Sequence, residues 1–202
     1  MHIEIVTEEP SATEALQNLM PRLLPQGASF ALRPFSDKKE LLSRLTDRLR
    51  GYAHWLHEDW HIVVLVDRDA DDCQRLKAQL DVIAADAGLV PKGRAMGGRF
   101  HVLNRVAIEE LEAWFFGDVE ALCAAYPHVS ASLAKRAPYR DPDAIKGGTW
   151  EALARVLNYS RQTYPKIAVA REISQHMDPA RNRSHSFQVF ASGIAELWCG
   201  DV

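Results

Sequence analysis

The chain has 202 residues, 47% of them apolar and 25% charged, with a formal net charge of −3. That is room for one domain with a sizeable core, or one domain plus a small annex, in an ordinary soluble globular protein. It excludes a whole-molecule basic footprint for nucleic acid, so any such partner must meet local patches.

Three cysteines, Cys73, Cys123 and Cys199, are far apart and form no CxxC pair, which argues against a zinc site or a disulfide framework. The chain opens directly on a strand pattern and no apolar run approaches the ~20 residues of a membrane span. A cytoplasmic location without membrane contact is expected.

In chain order, residues 2–7 read as a short strand closed by Glu8-Glu9-Pro10-Ser11. Ser11 is a plausible N-cap for a helix carrying Leu16, Leu19, Met20 and Leu23 at helical spacing. Residues 29–35 make a second strand with an edge-like alternation. Asp37 caps a helix whose stripe is Leu41, Leu42, Leu45 and Leu49. Residues 62–66 are five consecutive apolar positions running into Asp67, Asp69, Asp71 and Asp72. A continuous apolar run of this kind reads as a parallel strand buried on both faces. A helix with Leu76, Leu80, Ile83 and Ala87 ends at Gly88, and residues 100–104 give a fourth strand.

This alternation predicts an α/β fold: a Rossmann-like, mostly parallel sheet of about four strands flanked by helices, with right-handed crossovers. After residue 107 the pattern turns helical. Helices are expected over 108–116, 119–125, 150–157, 167–176 and 186–198, with a turn-rich middle from 138 to 148. The division is thus an α/β core over 1–107 and an all-helical annex over 108–202 packed on it.

Open α/β sheets bind ligands at the carboxyl ends of their strands. Glu8 ends the first strand and Asp67 the third, so parallel pairing brings them to one edge. Asp67 and Asp69 are two apart, which in extended chain points both to one side. Mg²⁺ (or Mn²⁺) takes oxygen ligands, commonly carboxylates together with a substrate phosphate. The alternative for each acid is a surface carboxylate favoured by a helix N-terminus; Asp71 and Asp72 fit that reading better. Glu109 and Glu112, three apart on one predicted helix face, are either further metal ligands or a solvated face.

An acidic residue after strand one, followed by Asp67-Arg68-Asp69 after a later apolar strand, resembles the Toprim domain of topoisomerases, bacterial primases and OLD-type nucleases. The likeness covers about residues 1–105. Thr7-Glu8-Glu9 lacks the family's glycine after the acid, so either Glu8 or Glu9 fills that position, with motif placement favouring Glu8.

The whole chain further resembles a bacterial family of Toprim-like proteins, domain of unknown function 4276. That likeness rests on Glu8 to Ser11, Arg48 to Tyr52, Val66 to Cys73, Ala107 to Asp118, Gly147 to Ala152 and Asp178 to Ser184. The resemblance implies acid/base or metal chemistry at Glu8 and Mg²⁺ held by Asp67 and Asp69. It also implies an ATPase partner in a phage-defence setting.

Basic residues cluster locally. Arg94 and Arg99 lie in a glycine-rich stretch without the lysine and hydroxyl of a P-loop. Arg181 and Arg183 precede the last helix, whose N-terminus could take a phosphate, and Lys166 falls in the same half. The glycine-rich stretch is equally comfortable as an ordinary flexible loop, and the alternative for Arg181 and Arg183 is helix capping plus structural salt bridges to the annex. His54 and His57 have no third ligand of the usual kind.

The expected function is a Mg²⁺-dependent Toprim-type nuclease that cuts DNA or RNA. The alternatives are a non-catalytic partner subunit of an ATPase, with annex aromatics as its interaction surface, and a DxD phosphatase. Self-association is left open.

Overall fold

The computed structural model describes residues 1–96 and 98–199, with Cys199 described by its backbone alone. Gly97, at the centre of the glycine-rich loop, lies outside the described residues, as does the side chain of Cys199. Four parallel strands, β1 (His2–Thr7), β2 (Ser29–Pro34), β3 (Trp60–Asp67) and β4 (Val102–Ala107), form one sheet in the order β2-β1-β3-β4. The helices between them are α1 (Pro10–Leu23), α2 (Lys38–Ala53) and α3 (Cys73–Asp86). The chain leaves β1 toward one edge through α1 and returns over it to β3 through α2. The switch point therefore falls between β1 and β3, the place where this architecture opens a crevice.

β3 is central, and its alternate residues feed two separate cores. Ile62, Val64 and Val66 pack under α2 and α3 with Leu41, Leu45, Leu49, Leu76 and Leu80. Val63 and Leu65 face the other way, toward α1. Fully burying each such side chain is worth about 1.5–3 kcal/mol, which explains why β3 has no polar position from Ile62 to Val66.

The annex helices are α4 (Glu112–Gly117), α5 (Val119–Ala125), α6 (Thr149–Val156), α7 (Lys166–Ser174) and α8 (His185–Cys199). Short 3-10 turns fill the turn-rich middle. α7 runs along α1, and α8 packs on β4 and α4. Phe187, Phe190 and Ile194 of α8 join the same core as Ile3, Leu16 and Leu65.

Three local expectations differ. The fourth strand lies two residues further on, at Val102–Ala107, and the next helix begins only at Glu112. Between them Glu109 takes a left-handed conformation, φ 61°, so Glu109 and Glu112 share no helix face. α1 starts at Pro10 with Glu9 in the N-cap position, and Ser11 instead donates to Glu9 Oε1 at 2.5 Å. Finally, Trp114, Phe115 and Phe116 are fully buried. A helix buried all round belongs to a core, so these aromatics cannot be an interaction surface.

Candidate metal and acid site

At the carboxyl edge of the sheet, Glu8 follows β1 directly and Asp67 closes β3. The register pairs Thr7 with Leu65, and the Asp67 amide donates to Glu8 Oε2 at 3.0 Å. Asp67 continues the Val63–Leu65 parity, so its side chain faces the annex. There it meets Glu112, at the first turn of α4, and Lys166, at the first turn of α7. Glu9, at the N-terminus of α1, accepts from Lys166 Nζ at 2.7 Å, and Glu112 Oε1 lies 3.9 Å from the same nitrogen.

The electrostatics are those of crowded acids. Asp67 is 7% exposed and Glu112 1% exposed. Burial, then the charges of Glu112, Glu9 and Glu8, holds the Asp67 carboxyl well above its usual range. Burial pushes Glu112 up to about 7 against the pull of Lys166, and Glu9 adds to the rise. Glu8 is pushed to about 7 by burial, opposed by the Asp67 amide and Lys38. Burial also disfavours charge on Lys166, but Glu112, Glu9 and Asp67 overcome it and hold the ammonium above the ordinary lysine range. Glu9, Glu112 and Asp67 thus surround Lys166, a net negative excess in a low-dielectric place, while Glu8 at the rim has Lys38 as its cation.

Two buried polar atoms here have no partner, Glu112 Oε2 and the Tyr164 hydroxyl. No described donor reaches the Asp67 carboxylate. An orphaned buried oxygen in a native fold calls for an ion or a water. Among the described residues no three His, Cys, Asp or Glu side chains already converge as a metal-holding group, and Lys166 is the positive charge between them. The donors are all carboxylate oxygens, one of them unpaired, and that chemistry fits a hard divalent cation.

The other acids and bases stand elsewhere. Asp69 takes a left-handed conformation, φ 51°, as its amide donates to Glu109 O at 2.8 Å. That turn ends the extended alternation, so Asp69 does not share a strand face with Asp67; it lies at the same sheet edge, where its charge acts on Glu8. Its carboxylate accepts from Lys38 Nζ at 2.6 Å, beside Asp71 at 3.1 Å. Glu109 pairs with Arg68 rather than entering the site. Glu110, which the sequence reading did not single out, caps α6 by accepting from the Thr149 and Trp150 amides, both at 2.9 Å.

Lys166 belongs to the acid cluster and not to a separate basic patch. Arg181 is spoken for by Asp118, which accepts from its Nε at 2.8 Å and Nη2 at 2.9 Å. The N-terminus of α8 already has its anion: Asp143 accepts from the His185 amide at 2.6 Å and the Ser186 hydroxyl at 2.8 Å. Arg94, Arg99 and Arg183 are exposed and make no ion pair among the described residues. They remain available to a phosphate backbone.

The sequence offers Glu112 and Lys166 as separate candidates; the packing of α7 on α1 and on α4 brings them together with Glu9. A family model described as Domain of unknown function (DUF4276) matches residues 7–195. No curated protein and no solved structure matches the chain.

Proposed function

Because the chain belongs to the DUF4276 family, whose description names no activity, we propose a function from its own residues: divalent-cation-dependent phosphodiester hydrolysis of DNA or RNA, of the Toprim nuclease type. The observation that carries this reading is Asp67 at the sheet's carboxyl edge, buried within the fields of Glu112, Glu9 and Glu8, with Glu112 Oε2 buried and unpaired. Carboxylates this close are costly without a cation, and a strand-end crevice is where an α/β fold receives a substrate.

Glu8, Asp67 and Glu112 would hold Mg²⁺ or Mn²⁺. A bound ion of this kind polarises a phosphodiester oxygen and lowers the pKa of an attacking water. Glu8, with a carboxyl near neutrality, can accept or return a proton. Lys166 offers its ammonium to a phosphate oxygen while Glu9 fixes its position. Arg94, Arg99 and Arg183 would hold the backbone on either side of the cut.

The motif likeness also suggests an ATPase partner, which co-purification with the product of the neighbouring gene would test. In the DxD phosphatase reading Asp69 would act beside Lys38, with which it pairs, and the protein would release phosphate from a small monoester. Incubation with plasmid, single-stranded DNA and RNA in Mg²⁺ or Mn²⁺ tests the nuclease proposal directly. Cutting that persists in Asp67→Ala, or no cutting of any substrate with either ion, overturns it.

A further inference from the structure

Arg105 is the one buried basic side chain among the described residues, 7% exposed. It rises from the edge strand β4 and is covered by α8. Its Nε donates to Val189 O and its Nη1 to Asn104 O, both at 3.1 Å. Among the described residues no carboxylate pairs with it, and its Nη2 makes no hydrogen bond. The guanidinium lies against Gly193 in the middle of α8, where a Cβ would come within 2.1 Å of Nη2. A glycine inside a helix costs roughly 1 kcal/mol relative to alanine, and here it opens the path for the arginine.

A buried, unpaired guanidinium is expensive, and burial alone holds Arg105 below the usual arginine range. Two cavities flank it in the groove between α3 and α8, of about 340 and 190 Å³. Lys77 lines both, and Lys92 lines the larger. Burial, with Arg105 and Lys77 nearby, keeps the Lys92 ammonium below the ordinary lysine range even with Glu196 beside it. Asp81, the other acid in the groove, is engaged by Asn104 Nδ2 at 2.7 Å. The groove thus holds three cations and two acids, with Lys92 paired to Glu196 and Asp81 bonded to Asn104, which leaves Arg105 and Lys77 without a carboxylate among the described residues.

We infer that Arg105, Lys77 and Lys92 form an anion pocket for a phosphate group, carried either by a small molecule or by a nucleic-acid backbone. Planar arginine donors and lysine point charges are the usual partners of phosphate oxygens. The larger cavity falls at the lower end of the roughly 300–1,000 Å³ typical of ligand pockets. This pocket is separate from the acid cluster and does not depend on the nuclease reading.

The test is calorimetric titration of the full chain in EDTA, at constant ionic strength, with orthophosphate, 5′-AMP and a short single-stranded oligonucleotide. Saturable binding of at least one probe is expected, weakened tenfold or more in Arg105→Gln and, independently, in Lys77→Ala/Lys92→Ala. The double variant changes the outer side chains alone, so it answers the question should Arg105→Gln fail to fold. Orthophosphate or 5′-AMP binding that the oligonucleotide does not displace identifies a small-molecule phosphate; displacement identifies the backbone. No saturable binding of any probe, or equal affinity in the double variant, overturns the inference.

Discussion

The main-chain amide of Asp67 donates to Glu8 Oε2 at 3.0 Å, tying the ends of two adjacent strands across the switch point. One acid of the cluster is thereby positioned by the backbone beneath another. Glu8→Ala leaves that amide without its acceptor and should cost about 1–2 kcal/mol in urea unfolding. Glu8→Gln keeps an acceptor and should stay close to wild type in stability, while both variants lose cleavage by about 100-fold or more.

Glu112 and Glu8 bind protons more tightly folded than unfolded, with carboxyls near 7 against an ordinary 4.5. The native state therefore holds more protons between pH 4.5 and 7, and stability from these groups falls as pH rises through that window. Without divalent cation, Glu112→Gln should match wild type near pH 4.5 and exceed it by about 1–3 kcal/mol at pH 8. Unfolding midpoints across pH measure the difference; a variant curve parallel to wild type would remove the crowding argument.

Asp67 and Asp69 should separate cleanly. Asp67→Asn is expected to abolish the rise in Tm that Mn²⁺ produces and to cut cleavage by about 100-fold or more. Asp69→Asn disturbs a partly exposed pair with Lys38 and should leave the Mn²⁺ response intact, with cleavage within about tenfold. Equal loss in both would return Asp69 to the site.

Lys166→Met removes the lone cation among Glu9, Glu112 and Asp67. At pH 8 this should cost about 3–5 kcal/mol, the cost of stranding buried charge. Acidification to pH 5, or saturating Mn²⁺, should restore most of it. Thermal melts under the three conditions decide.

Asp118 has a fully buried side chain that accepts from Arg181, from the Ala121 amide at 3.2 Å and from the Asp178 amide at 2.8 Å. Asp118→Ala should lose about 3–5 kcal/mol of stability. Where the protein remains folded, its Mn²⁺ titration should be unchanged. That outcome would mark Arg181 as structural.

The parallel α/β core was legible because β3 is apolar on both faces and its neighbours alternate with amphipathic helices. Glu8 and Asp67 were legible for the same reason, since strand ends on a parallel sheet share an edge. The extended backbone expected at Asp69 and the helix face expected at Glu109 were both undone by one kind of event, a left-handed residue just past a strand end. An aspartate or glutamate there carries no signal comparable to glycine. Glu112 was named as a candidate metal ligand and Lys166 as a phosphate contact, but their contact with each other and with Glu9 was not legible, because long-range packing is what gives them these neighbours. The basic stretch before α8 misled because its anion, Asp143, lies about forty residues upstream.

The acid cluster draws on residues 8, 67, 112 and 166, so no early fragment of the chain contains all of it. A ribosome that has made only the sheet has released the acids but not the ammonium that balances them. Translation arrested, or proteolysis cutting, before α7 would yield a polypeptide whose strand ends repel one another. Such a truncated product should be poorly folded, and the proposed activity would arise only once synthesis is nearly complete.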